Sequence, residues 1–207
     1  MDREDYRDRI KNKLAELTVN LPGIFPDSEI NSAFLDTIRG LPYKGVYNET
    51  KWYKTLSVNV SEYALESEHY KVEKVEVNEG TADLPRWTEV KGYEVFANTL
   101  HLATLPSLAN TIRVWVKTKF TEITDDSTTV DVPDDKSEAV IYGSVRRLLE
   151  NLIHYIIDSK NYDSILKPDG LSLPQIKAWR DEIRAEEERI VKSFQTKPRP
   201  RDMDLVN

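Results

Sequence analysis

The stretch KSEAVIYGSVRRLLENLIHYII, Lys136 to Ile157, is the longest apolar pattern in the chain. One row of it comprises Ile141, Val145, Leu148, Leu149, Leu152 and Ile156, and a second row comprises Val140, Ile153 and Ile157. These residues recur three and four positions apart, which is the period of an α-helix. Since little more than Arg146, Arg147 and Glu150 is left for water, we expect a central, largely buried helix.

The start of this helix is marked by polar residues. Pro133 ends the extended segment before it, and Asp134, Asp135 and Ser137 offer capping oxygens and negative charge at the positive end of the helix dipole. Gly143 lies in the helix interior, where glycine costs about 1 kcal/mol relative to alanine. We therefore expect another element to approach the backbone closely at Gly143.

The composition bounds the class of protein. The chain has 207 residues, 39% hydrophobic and 31% charged, which is typical of a globular protein with much charged surface. It has no cysteine, which excludes disulfides and zinc-thiolate sites. The net charge of −7 disfavours nucleic-acid binding, which depends on an excess of lysine and arginine. The N-terminus MDREDYRDR is unlike a signal peptide, and no membrane segment is predicted.

Two helices are predicted before residue 41. The first covers residues 2–17, and the sequence LPGIFP at residues 21–26 must end it because of its prolines and glycine. Asp27 or Ser28 then caps a second helix, and Gly40 supplies a left-handed stop. These two helices are the first elements of the predicted domain.

From Trp52 the apolar period changes to two, which is typical of strands. The alternating sets are Leu56, Val58 and Val60; Tyr70, Val72, Val75 and Val77, with one slip; Tyr93, Val95 and Ala97; Leu100 and Leu102; and Ile112, Val114 and Val116. Turn residues separate them, and no crossover helix fits between them. We predict a small antiparallel β-sandwich or barrel inserted between helices.

The last predicted helix begins at a Ser172 cap and carries a narrow apolar stripe interrupted at Glu187. The stripe comprises Leu173, Ile176, Trp179, Ile183, Ile190 and Phe194. Such a stripe suits packing on one neighbouring helix or on another subunit. The linker from Ile123 to Pro133 is rich in Asp, Ser and Thr, and we expect local bonds from its side chains to the backbone.

The predicted fold is therefore α+β. Residues 1–51 and 121–195 form one helical bundle, made of two N-terminal helices, the long central helix and the long C-terminal helix. Residues 52–120 form the inserted antiparallel β subdomain, and residues 196–207 form an extended C-terminal arm with prolines at positions 198 and 200. The arm is either a frayed terminus or a polyproline-like segment that orders against a partner.

No motif in the sequence predicts catalysis. His69, His101 and His154 lie in different elements without ligands at metal-binding spacing. The acidic run from Asp125 to Asp135 lacks the ligand spacing of a calcium loop and is read as a helix-capping segment. With no nucleophile elbow and no glycine-rich phosphate loop, we predict no catalytic, cofactor or metal residues.

The tryptophans in the β segment leave two interpretations open. Trp115 alternates with Val114 and Val116, so it lies on the opposite sheet face, either covered by a helix or exposed for a partner. Trp52, Trp87 and Trp115 could instead grip a peptide or small molecule.

One succession of residues resembles the head-to-tail adaptor (connector) proteins of tailed bacteriophages. It comprises Trp87-Thr-Glu-Val, Tyr93-Glu-Val-Phe-Ala-Asn-Thr-Leu-His-Leu, Leu105-Pro, Asn110-Thr-Ile-Arg-Val-Trp-Val, Ile123-Thr-Asp-Asp, Val132-Pro and Arg146-Arg-Leu-Leu. The resemblance covers about two thirds of the chain, residues 52–157, and consists of loose patterns without a catalytic set.

The resemblance implies a non-enzymatic virion protein of the neck, at the head-tail junction, assembled in the host bacterial cytoplasm. Such proteins form a ring, commonly of twelve copies, below the portal protein. The ring extends the DNA channel, which DNA passes without specific binding, and provides a platform for the next neck or tail protein. The implied portal-docking arm comprises Lys197, Pro198, Arg199, Pro200, Arg201, Asp202, Met203, Leu205 and Val206. The implied subunit-interface residues are Trp115, Trp179, Ile183, Ile190 and Phe194.

Other interpretations predict different behaviour. A stopper or tail-terminator ring of the phage neck shares the same sequence features. A monomeric β-sandwich binding module predicts a concave pocket lined by tryptophans. A hydrolase predicts two carboxylates about 5 to 10 Å apart in a cleft.

Overall fold

The computed structural model describes residues 1–67, 69–104, 110–121, 123, 125, 129–159 and 171–196. The fold is α+β, with helices and two antiparallel sheets. Contacts divide the chain into a helical unit, Met1–Val46 with Phe120–Asn207, and a β unit, Tyr47–Lys119. The β unit is thus inserted in sequence between the two parts of the helical unit.

The helical unit is built from helices that bury one face each. They are α1 (Arg3–Leu17), α2 (Leu21–Ile24), α3 (Asp27–Gly40), α4 (Ser137–Ser159) and α5 (Leu173–Thr196), with 3-10 turns at Pro42–Lys44 and Asp134–Lys136. Asp2 caps α1 through a reciprocal pair of hydrogen bonds with Asp5. The cap fixes where α1 begins, and the buried faces determine how the helices pack.

The expected burial of the central helix is confirmed. Val140, Val145, Leu148 and Leu149 of α4 are fully buried in the core of the helical unit. Ile157, however, is 52% exposed, so the second apolar row does not reach the end of α4. Burial of one continuous face is the main stabilising contribution to a helix of this length.

Helix α1 ends at Leu17 as expected, and the segment at residues 21–26 contains a separate single turn, α2. Two expectations about α3 are wrong, namely its capping residue and its left-handed stop. Pro26 occupies the cap position of α3, whereas Asp27 lies in the first turn and its carboxylate pairs with Lys11 Nζ at 2.6 Å. The left-handed residue is Gly45, at φ 77°, and Gly40 belongs to α3 itself. The short 3-10 turn that follows α3 moves the chain reversal from Gly40 to Gly45.

The β unit contains two sheets. Its strands are β1 (Asn48–Thr55), β2 (Glu62–Ala64), β3 (His69–Asn78), β4 (Trp87–Glu89), β5 (Tyr93–Phe96), β6 (Thr99–Leu102) and β7 (Thr111–Thr118). The larger sheet has the order β1-β7-β3-β4 and the smaller one β2-β6-β5. The described strands therefore form two sheets and not one closed barrel.

One hydrophobic cluster draws on both sheets. Ile112, Val114 and Val116 of β7 contribute from the larger sheet, and Tyr63 and Leu100 contribute from the smaller one. Their alternation with polar neighbours is the pattern from which strand β7 is predicted.

The predicted alternation fails at one place in the β unit. Val58 and Val60 lie outside any strand, are 50% and 39% exposed, and flank Asn59 at φ 62°. Their side chains do not face a core, because the chain turns here between β1 and β2. By contrast, the slip expected in the third strand is confirmed by two register shifts in β3.

Strands β5 and β6 form a tight hairpin. Phe96 pairs with Thr99, and the two turn residues Ala97 and Asn98 have φ values of 46° and 60°. Two positive φ angles are the mark of a type I′ turn, in which asparagine is favoured and alanine is strained. Ala97, expected in a strand, therefore lies in the turn.

Candidate interaction site

The predicted docking arm lies outside the described residues. This applies to Lys197, Pro198, Arg199, Pro200, Arg201, Asp202, Met203, Leu205 and Val206. Helix α5 ends immediately before the arm, at Thr196.

The predicted interface residues on α5 lie against the core of the same chain. Ile183 and Ile190 are only 3% and 6% exposed and belong to the hydrophobic core of the helical unit. Trp179 and Phe194 are partly buried and pack against that core. Ile183 and Ile190 thus leave almost no surface for a neighbouring subunit, because α5 uses its stripe to pack within its own chain.

Glu187, which interrupts the stripe, is the centre of a buried ion cluster. It is 2% exposed, and its carboxylate accepts hydrogen bonds from Arg146 Nε at 2.7 Å and from Lys44 Nζ. Arg146 also donates to Glu150 at 2.7 Å. Burial lowers the pKa of Arg146, but the charges and hydrogen bonds of Glu187 and Glu150 together outweigh this effect, so the pKa is raised. Arg146 and Glu150, expected to face water, are instead partners of a buried charge.

Gly143 makes room for this cluster. A Cβ atom at Gly143 would lie 2.6 Å from Thr37 Cγ2 and 2.8 Å from Glu187 Oε1, closer than van der Waals contact allows. The close approach expected from the sequence is therefore confirmed. It comes from side chains of both α3 and α5.

A second buried carboxylate lies in the β unit, on the face of the larger sheet that carries Trp115. Glu76 is 4% exposed and accepts hydrogen bonds from Arg113 Nε and Trp115 Nε1, both at 2.7 Å, while Lys74 Nζ lies 2.6 Å away. Burial by itself raises the pKa of Glu76, but the hydrogen bonds from Arg113, Lys74 and Trp115 outweigh it and lower the pKa to about 2. This carboxylate is therefore charged at neutral pH.

Aromatic rings and cations cover this carboxylate. The Arg113 guanidinium lies 4.5 Å from the Trp87 ring centroid and 5.3 Å from that of Trp115, and Lys51 Nζ lies 4.2 Å from the Trp115 ring. Tyr53 and Trp87 meet edge to face at 6.0 Å. Trp115 is half-buried, and Lys51 and Arg113 of its own sheet lie near its ring.

The three tryptophans of the binding-module interpretation do not lie on one face. Trp52 pairs in register with Val114 and packs against the hydrophobic cluster of the β unit, whereas Trp115 lies on the other face of the same sheet. The Trp52 indole donates to Glu66 at 3.1 Å and its ring meets His69 edge to face. A pocket formed jointly by Trp52 and Trp115 is therefore excluded by the register.

His69, His101 and Asp131 have ordinary partners. His69 Nδ1 accepts from the backbone of Glu66, and His101 lies 3.5 Å from Glu62. Asp131 accepts hydrogen bonds from the backbone amide and the hydroxyl of Thr121, which lies outside the linker, so these are not the local bonds expected there. Within the described ranges, no group of three or more metal-binding side chains is present.

The hairpin of β5 and β6 carries the feature that the sequence pattern did not reveal. Val95 and Phe96 are 45% and 75% exposed. In the described part of the chain, β5 forms one edge of the smaller sheet and β1 forms one edge of the larger sheet. The signal in the sequence is Ala97-Asn98, whose asparagine favours a turn and thereby places Phe96 at a strand end.

Comparisons with known proteins do not identify the chain. No protein-family model matches it, and no curated protein matches it significantly. Among the described residues, no helix is long and apolar enough to cross a membrane.

Proposed function

We propose that this chain is a structural virion protein, the head-to-tail adaptor of a tailed bacteriophage. Copies form a ring, commonly of twelve, below the portal protein, and the ring extends the DNA channel and receives the next neck or tail protein. The proposal includes a finer description of the fold, a helical bundle with an inserted β-sandwich and an extended arm. Its place is the neck of the virion, after assembly in the bacterial cytoplasm.

The observation that supports this proposal best is the order of the elements. A helical unit drawn from residues 1–46 and 120–207 is interrupted in sequence by an all-antiparallel β unit. The strand Ile112–Val116, the linker ending at Pro133 and the helix containing Arg146 follow one another as they do in the family that the sequence resembles.

The charge and the buried clusters support the same interpretation. A net charge of −7 suits a conduit for DNA, since negative charge repels phosphate and discourages binding to the channel wall. Glu76 and Glu187 are each held by cations within their own unit, which makes them structural groups. The binding-module alternative is disfavoured because Trp52 and Trp115 lie on opposite sheet faces. A stopper or tail-terminator ring remains the alternative within the same class.

The test is the mass of the assembly in solution. The full chain and a chain ending at Gln195 are measured alone and with the portal ring of the same virus, and circular dichroism serves as the control for folding. We expect the full chain to bind the portal ring as a ring of its own, and the shortened chain to bind at least tenfold more weakly. A full chain that stays monomeric and ignores the portal would exclude the adaptor function.

A further inference from the structure

We infer that neighbouring copies join face to face through their β units. The outer face of the smaller sheet of one copy packs on the outer face of the larger sheet of the next. This inference rests on the proposed ring and names the contact that forms it. The occupant of each face is a second copy of this chain.

Each sheet has an outer face, which is turned away from the hydrophobic cluster that draws on both sheets. Val114 and Val116 belong to that cluster, so Trp115 between them faces the other way. Leu100 of the smaller sheet also belongs to the cluster, so the next residue, His101, faces away from it. One copy can therefore hold one neighbour on each of its two outer faces.

The outer face of the larger sheet is cationic and aromatic. Lys51 of β1 and Lys74 of β3 flank Trp115 of β7 in register, and these three residues are the lysine row. Lys51 is exposed, and the side chain of Lys74 is 33% exposed. The next row of this face consists of Tyr53, Arg113 and Glu76. In these two rows three cations accompany a single carboxylate, and that carboxylate is buried.

The outer face of the smaller sheet is acidic. Glu62 of β2 and Glu94 of β5 flank His101 of β6 in register, and these three residues are the glutamate row. Both glutamates are exposed, and His101 Nδ1 lies 3.5 Å from Glu62 Oε1. The next row of this face consists of Ala64, Thr99 and Phe96. These two rows thus carry carboxylates without any lysine or arginine.

The lysine row and the glutamate row match in charge and in spacing. Each row crosses three neighbouring strands, so its first and last residues lie about 10 Å apart in either sheet. When the lysine row of one copy lies on the glutamate row of the next, Glu94 meets Lys51 and Glu62 meets Lys74. Such complementary charges fix which surfaces meet and in which alignment.

The strand orders of the two faces agree with this alignment. The Leu56 amide donates to the Asn110 carbonyl at 2.8 Å, which fixes the alternation of hydrogen bonds between β1 and β7. For L-residues this alternation places β7 to the left of an upward-running β1, seen from the outer face. The Ala103 amide donates to the Gly92 carbonyl at 2.9 Å, which likewise places β6 to the right of an upward-running β5. Left and right coincide when two faces meet, so β5 lies on β1, β6 on β7 and β2 on β3.

The second rows extend the same contact. Glu94 precedes Phe96 by two residues in β5, as Lys51 precedes Tyr53 in β1, so Phe96 of one copy meets Tyr53 of the next. Phe96 and Tyr53 are 75% and 53% exposed. The contact covers both rings, and an aromatic pair contributes beyond the area that it buries.

Packing of like faces is disfavoured. Two larger sheets would bring two lysine rows together, and two smaller sheets would bring two glutamate rows together, which like charges oppose. The contact is therefore head to tail, and a head-to-tail contact repeated by rotation closes into a ring.

Charge reversal tests the contact. Lys51→Glu sets two carboxylates against each other, and Glu94→Lys sets two ammonium groups against each other. We expect each variant to self-associate about tenfold more weakly than the wild type in analytical ultracentrifugation, and an equal mixture of the two to recover association, because each then meets a complementary face. Asp83→Lys is the matched control, since Asp83 is an exposed acid in the loop between β3 and β4, and it leaves association unchanged. Circular dichroism confirms that each variant is folded.

Chemical linking tests the alignment, because the natural chain has no cysteine. Sheets that pack face to face lie about 10 Å apart, which a short bis-maleimide can bridge between facing side chains. Full-length Lys51→Cys and Glu94→Cys chains are mixed with this reagent, so that any link between positions 51 and 94 joins two copies. We expect covalent heterodimer to accumulate at least tenfold faster than in a mixture of Lys51→Cys with Asp83→Cys.

The outcomes separate this inference from the function on which it rests. Rings that assemble normally in both charge-reversal variants, with no excess of linked 51–94 dimer, overturn the face-to-face contact and leave the adaptor function standing. Weakened association that mixing does not recover also overturns the contact. Linked dimers from a chain that neither closes a ring nor binds the portal support the contact and overturn the adaptor function. A wild-type chain that shows neither assembly nor linking overturns both.

Discussion

Glu187 of the helical unit and Glu76 of the β unit are both nearly buried, and the two units hold these glutamates in different ways. Glu187 lies inside the helical core, where glycine at position 143 leaves space for its carboxylate. Glu76 lies on a sheet face, beneath Arg113 and the tryptophans that stack on that guanidinium. Both carboxylates are paired, because an unpaired buried charge costs several kcal/mol.

The two units supply cationic partners to a buried carboxylate in two different ways. In the helical unit, Glu187 interrupts an apolar stripe and draws its partners Lys44 and Arg146 from two other elements. In the β unit, Glu76 follows the alternation of β3, and Arg113 stands opposite it in register. In the helical core the carboxylate needs space between packed helices, which Gly143 provides. On the sheet face it needs side chains that shield it from water, which Arg113 and the tryptophans provide.

The largest expected effect comes from removing Glu187. Glu187→Ala leaves Arg146 and Lys44 without their buried partner, and we expect the helical unit to lose about 3 to 5 kcal/mol of unfolding free energy. Urea unfolding followed by far-UV circular dichroism measures the loss. Glu188→Ala is the matched control, because Glu188 is exposed and pairs with Arg184 on the helix surface, a contact worth about 0.5 kcal/mol or less. Equal losses in both variants would refute the buried cluster.

Acid should act on the β unit through Glu76. Its folded pKa of about 2 lies below the ordinary value of 4.5, so its stabilisation is complete above pH 4.5 and is lost as pH falls through 2. The shift corresponds to roughly 3 kcal/mol. A Trp179→Phe chain carries tryptophan only in the β unit, so its fluorescence reports unfolding there.

The control for this acid effect is Glu76→Gln in the same background. It is less stable at neutral pH, and it should lack the acid-dependent loss attributed to Glu76. If both chains lose the same free energy between pH 4.5 and 2, the depressed pKa of Glu76 is wrong.

Alkali should act on the helical unit through Tyr6. Burial raises the pKa of Tyr6 from 10 to about 12, with Arg9 opposing the shift and Asp134 adding to it. The stabilisation is complete below pH 10 and is lost as pH rises through 12, a change of about 2 to 3 kcal/mol. Circular dichroism against urea at several alkaline pH values measures it.

Tyr6→Phe separates the hydroxyl from the ring. The ring packs 5.1 Å from Phe34, whereas the buried hydroxyl makes no hydrogen bond within the described residues. We expect Tyr6→Phe to equal or exceed the wild type in stability at neutral pH and to remove the alkaline loss. A variant that unfolds at neutral pH would mean that the hydroxyl has a partner.

The smallest effect concerns the turn of the β5–β6 hairpin. Ala97→Gly removes the strain of a positive φ angle, and we expect a gain of about 1 kcal/mol. Ala64→Gly in strand β2 is the control, where glycine should cost about 0.5 to 1 kcal/mol. Thermal unfolding followed by tryptophan fluorescence compares them, and changes of the same sign would contradict the strained turn.

Much of the fold could be predicted because its signals are local. The period of α4 predicts a buried helix, and Gly143 within it predicts a close approach. The alternation around Val114 predicts β7. The same alternation fails at Val58 and Val60, because a turn can follow a strand without a change in residue type. Strand β4 was missed because three residues give too short a pattern.

The site was less predictable because its contacts join distant positions. Arg146 and Glu187 are 41 residues apart, and Trp115 and Glu76 are 39 apart. No local pattern encodes such pairs. The positions of β1 and β5 at the ends of the described sheets likewise depend on strand order, which follows from pairing across the whole unit.

The sequence by itself determined the long helices and strand β7, since the apolar period and the positions of proline and glycine set local backbone preference and the face to be buried. It also determined the composition of the chain, including its negative charge and lack of cysteine. The tertiary structure alone decided that Ile183 and Ile190 of α5 are buried in the core of the helical unit. It also decided that a lysine lies over the Trp115 ring and that β5 ends at an exposed Phe96. Those outcomes depend on which elements pack together, because a side chain is buried only where another part of the folded chain covers it.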